Sequence, residues 1–363
     1  HKYEYCDLLI AGSGPSGLAS AYTAAKNGAR VILAEDKPRF GGSLLTDDVN
    51  IGNQNGKEWT DKIISELKAM PNVIVKNRSQ VFGYYDHNML VMSERISDHL
   101  PKTKKYSPKQ RLWYIRAKEV IISSGSIERP LVFGNNDTPG VMLSSAAKEY
   151  LKVYGVLVGK NPLVFTNNDS GYTTAIEFKK NGISPIVLDT RKNPSSEIIN
   201  EAKNLNIDIK FSHVVVAAKG YKKVKSADIA KISEDKKELS QIENISCDCI
   251  CVSGFWTPTI HLASQSGNKT KFNEEIDAFI PSQPKQNETT LGSAKGVFTL
   301  EETLKTSFEK GFELSKKITQ KENKIATPSV LEKKSSVHDK FWCVPLPKGA
   351  KYKRFLDFQN DVA

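Results

Sequence analysis

Between a short apolar run, Asp7–Ala11, and a stretch of helical periodicity lies the loop Gly12-Ser13-Gly14-Pro15-Ser16-Gly17. A G-x-G-x-x-G loop that leaves a strand and opens a helix admits few folds. The first glycine turns the chain sharply, the second lets backbone approach a pyrophosphate, and the third lets helix pack on strand. The helix is marked by Leu18, Ala21, Tyr22 and Ala25 and ends at Asn27-Gly28. The apolar run Val31–Ala34 then follows as a second strand. This βαβ opening calls for a parallel sheet with crossover helices, hence an α/β domain. Phosphates would lie against free N–H groups at the positive end of the helix.

Glu35 ends the second strand, where a carboxylate can accept from both hydroxyls of an adenosine ribose. Asp36 beside it argues against a 2′-phosphate on that ribose, so NADP(H) is not expected. FAD and NAD both present a free diol, and the acid does not separate them. Downstream, Arg39-Phe40-Gly41-Gly42-Ser43 offers a glycine pair that could pass close to the cofactor and supply amide donors. Ser124-Gly125 falls at the end of the strand Glu119–Ser123, at the carboxyl edge where ligands bind in open α/β sheets.

From Val73 to Ser123 the pattern changes to short alternating strands, with Val81–Tyr85 and Arg111–Ile115 the clearest. A small antiparallel insertion over about residues 73–118 is expected, with Ser97–Ser107 an exposed Lys-rich loop. A second βαβ begins at Pro162: strand Leu163–Thr166, helix Gly171–Lys180, strand Ser184–Leu188 with Asp189 at its end. Ile207–Phe211 and Val214–Ala218 are expected to continue that sheet. Here, however, Asn167 and Asp169 stand where the first two glycines would be, and Tyr172 where the third would be. Asp169 would set a negative charge against any pyrophosphate, so this domain is expected to keep the topology and to have lost the ligand. Cys247–Val252 reads as a further buried strand, and Thr299–Thr319 as a closing amphipathic helix. The expected division is a dinucleotide-binding domain over 1–157 and 246–320, a second, degenerate domain over 158–245, and over 321–363 a linker and the start of a missing C-terminal domain. The chain starts at His1 rather than Met, and we expect a fragment of something longer.

Composition narrows the function classes. The 52 Lys+Arg exceed the 41 Asp+Glu for a net charge of +11, but the basic residues are scattered in short clusters without interleaved aromatics. A solvated lysine-rich surface is expected, and no nucleic-acid partner. No apolar run approaches the roughly 18–20 residues of a membrane span, so no membrane partner is expected. Five cysteines, unevenly spaced, point to a reducing, cytoplasmic setting. No Cys pair suits a flavin disulfide reductase, and the alternating Cys247, Cys249 and Cys251 read as core packing rather than a metal site. His261 reads as a surface or core histidine. No catalytic acid, base or nucleophile stands out.

The fingerprint with Glu35 and Gly41-Gly42 resembles the two-dinucleotide-binding-domain flavoproteins. This resemblance implies a Rossmann-like FAD/NAD(P)-binding fold of the glutathione-reductase type with an inserted second dinucleotide-type domain. More specific are Val81-Phe82-Gly83-Tyr84-Tyr85-Asp86, Arg111-Leu112-Trp113, Glu128-Arg129-Pro130-Leu131-Val132-Phe133, Asn136-Asp137-Thr138-Pro139-Gly140-Val141-Met142, Val252-Ser253-Gly254-Phe255-Trp256-Thr257-Pro258 and Asp357–Val362. Together they resemble the alpha subunits of heterotetrameric sarcosine oxidases.

That resemblance implies NAD held by Gly12, Ser13, Gly14, Pro15, Ser16, Gly17, Glu35, Asp36, Gly42 and Ser43, with Val81, Ser124 and Gly125 near by. It also implies FAD and a covalent FMN on or near a flavin-bearing beta subunit, further small subunits, and a C-terminal folate-binding domain. The implied reaction is oxidative demethylation of sarcosine with release of hydrogen peroxide and one-carbon transfer to tetrahydrofolate. One departure is that Gly292 is followed by Ser293-Ala294-Lys295-Gly296, with no Asp to hold a flavin ribityl chain, which favours NAD. Two alternatives stay open: a self-sufficient FAD-dependent amine or opine oxidoreductase, and a non-catalytic nucleotide-binding scaffold for a flavin subunit.

Overall fold

The computed structural model describes residues 1–101, 107–333, 335 and 338–356. Part of the expected Ser97–Ser107 loop and the motif Asp357–Val362 lie outside them. The described residues divide into two compact units, one within His1–Ile127 and Thr257–Glu332, the other Glu128–Trp256 with the described residues from Lys333 to Leu356.

In the first unit the strands Val73–Lys76, Val31–Ala34, Lys2–Ala11 and Gln110–Ile122 lie side by side in that order, all parallel. The 13-residue strand Gln110–Ile122 has two neighbours on its far side. Its first half pairs antiparallel with Met89–Arg95, which pairs with Ser79–Tyr85, and its last three residues pair parallel with Glu288–Thr290. The antiparallel insertion therefore starts at Ser79. Val73–Lys76, expected within it, is a third parallel strand reached through the helix Gly56–Ala69. That helix is started by a reciprocal cap, in which Asn55 accepts from Glu58 N and the Glu58 carboxylate accepts from Asn55 N.

Strand alternation sorts the core onto two faces of this sheet. Leu8, Ile10, Val31 and Leu33 meet Leu18, Ala21, Leu304 and Phe308 of the helices Pro15–Lys26 and Leu300–Thr319. Cys6, Leu9, Ile32, Val120 and Ile122 face Trp113, Leu90 and Leu262 on the other side. Each such fully buried aliphatic side chain contributes about 1.5–3 kcal/mol.

In the second unit five parallel strands run in the order Val141–Leu143, Cys249–Ser253, Pro162–Thr166, Ile186–Asp189, Asp208–Phe211. Two expectations are corrected here. Residues 128–157 and 246–256, expected with the first domain, belong to this unit. Cys249–Ser253 is a central strand of its sheet, and Ala147 and Leu151 of the helix Ser144–Tyr154 pack with Ile176 and Phe178. Val214–Ala218 does not continue the sheet. A parallel neighbour needs a crossover of a dozen or so residues, and only Ser212, at φ +54°, separates Phe211 from His213. The chain turns there into a separate antiparallel sheet, His213–Gly220, Val224–Lys231, Glu243–Ser246.

Parts of the stretch expected as a linker and the start of a further domain are built in. Val330–Leu331 pairs with Asn50–Ile51 in the first unit, and Phe341 and Val344 are buried in the core of the second. Cys249 and Cys251 lie buried with Sγ atoms 3.7 Å apart, while Cys247 precedes the strand and joins a different apolar cluster. Among the described residues no group of His, Cys, Asp or Glu could hold a metal ion, and no helix is long and apolar enough to cross a membrane.

Candidate functional site

The strand Lys2–Ala11 delivers Gly12 at φ +101°, a conformation open to glycine, against the end of Gln110–Ile122. A Cβ on Gly12 would lie 2.2 Å from Ser123 O, and one on Gly17 would lie 1.9 Å from Gly12 O. A Cβ on Gly14 would meet nothing within 4 Å. The outer two glycines are thus required by the protein's own packing. The middle one faces open space at the N-terminus of the helix Pro15–Lys26, where backbone N–H groups have no intrahelical partner.

Ser13 and Glu35 form the second part of the site. Ser13 is fully buried, and its N–H and Oγ both donate to Glu35 Oε2, at 2.9 and 2.6 Å. Lys37 N donates to Oε1 at 3.0 Å. Three donors fix the carboxylate at the strand end and leave it acceptor capacity for a ligand hydroxyl. Burial, and secondarily a hydrogen bond with the Asp36 carboxyl, push the Glu35 carboxyl from its ordinary 4.5 up to about 7.

Two opposite pH trends follow. Because Glu35 holds its proton more tightly in the folded chain, its contribution to stability is present below about pH 4.5 and is lost as pH rises through about 7. A ribose diol donates hydrogen bonds and so requires the ionised form. Nucleotide affinity should tighten roughly tenfold from pH 6 to pH 8, measured as the dissociation constant across that range. A flat profile would remove Glu35 from the site.

Gly41 and Gly42, at φ +118° and +55°, fold the following segment back onto the loop. Gly41 N donates to Ser13 O at 3.0 Å, and a Cβ on Gly42 would lie 3.0 Å from Gly14 Cα. Ser43 is exposed in the short 3-10 turn Gly42–Leu45. The Ser16 hydroxyl accepts from Ser307 Oγ at 2.9 Å and faces the helix Leu300–Thr319, so toward a ligand Ser16 offers its backbone. Val81 is half-buried on a strand tied to the site by Ser79 N donating to Glu35 O at 2.7 Å. Ser124 Oγ donates to Thr259 O, and Gly125 turns at φ +77°.

Sequence reasoning missed Ser123, whose Oγ donates to both Ala11 O and Gly12 O at 2.9 Å and braces the loop from below. Gly292 also approaches the site, and a Cβ there would lie 3.0 Å from Ser16 Cβ. His261 is exposed at the start of the short helix His261–Gln265, whose Leu262 and Ala263 are buried. An open cradle at a helix N-terminus, a braced glycine loop and a buried carboxylate at the neighbouring strand end suit a dinucleotide pyrophosphate and its adenosine ribose.

The second unit makes the contrast. Gly171 keeps its place, since a Cβ there would lie 2.6 Å from Thr166 Cβ. Asp169, however, does not face an open cradle. Its Oδ1 accepts from the buried Arg191 guanidinium at 2.9 Å, and Arg191 also binds Asp189, which accepts from Tyr172 OH at 2.7 Å.

Fold and loop together give a dinucleotide-binding α/β architecture, and residues 7–81 match the family described as FAD dependent oxidoreductase. Over nearly its whole length the chain is similar to part of the sarcosine oxidase alpha subunits. It is 33% identical to that of Rhizobium meliloti (strain 1021) over 99% of this chain and 35% of that protein. It is 34% identical to that of Corynebacterium sp. (strain P-1) over 84% of this chain and 32% of that protein. The chain therefore spans about a third of these relatives.

Among solved structures it is similar in fold to L-proline dehydrogenase from P. horikoshii, with TM-score 0.63 and 19% identity over 88% of this chain and 56% of that one. It is also similar to T. acidophilum thioredoxin reductase, with TM-score 0.66 and 15% identity over 86% and 99%.

Proposed function

We propose that this chain is the NAD-binding portion of the alpha subunit of a sarcosine-oxidase-like flavoenzyme. In this reading the flavin chemistry is carried by a partner beta subunit with its FAD and FMN. The substrate is sarcosine or a related N-methyl amine, demethylated to the free amine with release of hydrogen peroxide. The one-carbon unit passes to tetrahydrofolate on a folate-binding domain beyond the part described here. NAD would be held by the amides of Gly14, Ser16 and Gly17, by Glu35 through the ribose and by the backbone at Gly42-Ser43, with Val81, Ser124 and Gly125 along the rim.

The observation that carries the reading is the open space at Gly14 next to Ser13, whose N–H and Oγ brace Glu35, in a chain similar to alpha subunits. NAD is favoured over FAD because the Gly292 turn continues as Ser293-Ala294-Lys295, with no carboxylate for a ribityl chain.

The match to an FAD dependent oxidoreductase family supports one rival, a self-sufficient FAD-dependent amine or opine oxidoreductase. Mass spectrometry and visible absorbance of the ligand released on denaturing the purified chain separate the two. The expected result is one NAD per chain without a flavin band. Stoichiometric FAD would overturn the NAD reading and move the chemistry into this chain.

A further inference from the structure

In an open α/β unit the ligand edge lies at the carboxyl ends of the parallel strands. In the second unit those ends are Asn167 after Pro162–Thr166, Thr190 after Ile186–Asp189, and Gly254 after Cys249–Ser253. Part of this chain is seated there. Asn167 grips the backbone of the segment 338–344 on both sides. Its O accepts from Asp339 N at 2.9 Å, and its Nδ2 donates to Asp339 O and Phe341 O at 2.8 and 3.1 Å. Asn168 Nδ2, donating to Asn167 Oδ1 and Ser253 O, sets the orientation of that amide.

The Asp339 carboxylate sits between two donors, Thr190 Oγ1 and Lys236 Nζ, each 2.9 Å from Oδ2. Further along, Val132 N donates to Trp342 O and Val344 N to Val132 O, both at 2.8 Å, a parallel bridge of main chain to main chain. Phe341 and Val344 are 5% and 1% exposed and share a cluster with Leu131, Phe133 and Phe165. The Arg129 guanidinium lies 3.9 Å from the Trp342 ring centroid.

We propose that the ligand edge of the second unit is a peptide socket, and that residues 338–344 of the same chain are its occupant. The recognition follows the logic of strand addition, in which main-chain hydrogen bonds give affinity and side-chain pockets give choice. The pockets here select an acidic residue, an aromatic two positions on and an aliphatic three further, as in Asp339, Phe341 and Val344. The donors that a nucleotide would need are already engaged. Asn167 is spent on peptide carbonyls, Thr190 and Lys236 on a carboxylate, and the Trp256 indole donates to Ser170 Oγ at the first residue of the helix Ser170–Lys180. The inference is independent of which nucleotide the first unit holds.

The test uses the whole chain with Asp339→Ala/Phe341→Ala and, separately, Lys236→Met. The readouts are amide hydrogen exchange at Val132, Asp339 and Val344 and anisotropy of a labelled synthetic peptide of residues 338–346. In the double variant those amides should lose protection by at least about tenfold, while Leu8–Ile10 stay protected. That variant should bind the peptide, and the unaltered chain, already filled, should not. A peptide carrying the Asp339→Ala change should bind it about tenfold more weakly. Lys236→Met removes one partner of Asp339 without opening the core, and should give an intermediate loss of protection even where the double variant fails to fold. Unchanged protection in Lys236→Met would overturn the proposal. So would equal peptide binding by both chains, or uptake of a second equivalent of NAD or ADP by the double variant in place of the peptide.

Discussion

Replacing Gly17 by alanine is expected to cost the first unit both its stability and its nucleotide, whereas the same change at Gly14 should cost the nucleotide alone. The new methyl at Gly17 would lie 1.9 Å from Gly12 O and 2.8 Å from Ser123 Oγ. Neither neighbour can retreat. Gly12 N is held by Ala34 O, and Ser123 is tied to Ala11 through both its N–H and its Oγ. Overpacking against backbone costs about 3 kcal/mol, enough to lower Tm by about 6–12 °C in a unit of this size.

At Gly14 the added carbon meets nothing within 4 Å, and the residue already has φ −66°, so the fold tolerates alanine there. The methyl would stand where a pyrophosphate must come close, and nucleotide affinity should fall by about a hundredfold for the roughly 2–3 kcal/mol of lost phosphate contact. Thermal unfolding and nucleotide titration of both variants check this. Equal Tm losses at the two positions would mean that Gly14 is only a structural turn.

The different fates of these glycines show what the sequence carries and what it does not. The loop, its helix and Glu35 were legible because every constraint on them is local: strand, turn and helix follow each other within a few residues. Ser123 was not legible. It braces the loop across a span of more than a hundred residues, and nothing at its own position distinguishes it from any serine after a strand. The helix Gly56–Ala69 did carry a signal, the Asn55…Glu58 cap followed by Trp59, Ile63, Ile64 and Leu67. Reading that pair would have made Val73–Lys76 a parallel strand rather than the start of the insertion. The boundary near 127 was hidden for another reason. Val141–Leu143 is three residues long and earns its place by pairing with a strand more than a hundred residues away. The segment 338–344, three polar residues followed by four apolar ones, shows no periodicity because its order comes from the edge that holds it.

In the second unit the residues at the fingerprint positions are tied into a buried ion network, and it should be among the most sensitive points in the chain. Arg191 is 8% exposed, Asp169 3%, and Asp189 and Tyr172 0%. The guanidinium spans both carboxylates, with Nη2 at 2.9 Å from Asp169 Oδ1 and 2.8 Å from Asp189 Oδ2, and Nε at 3.0 Å from Asp189 Oδ1. A buried network of this kind adds little over an apolar core of equal volume, but removing its one cation strands two anions where water cannot reach them.

Arg191→Met is therefore expected to destabilise the second unit by about 3–5 kcal/mol, read as a shift of the denaturant midpoint at constant slope. Adding Asp169→Asn and Asp189→Asn to it should recover much of the loss, because the neutral amides can still hydrogen-bond with the chain around them. The first unit supplies the control, since its nucleotide affinity should stay unchanged in all of these variants. A triple variant as unstable as Arg191→Met alone would mean that the guanidinium acts by filling space rather than by balancing charge.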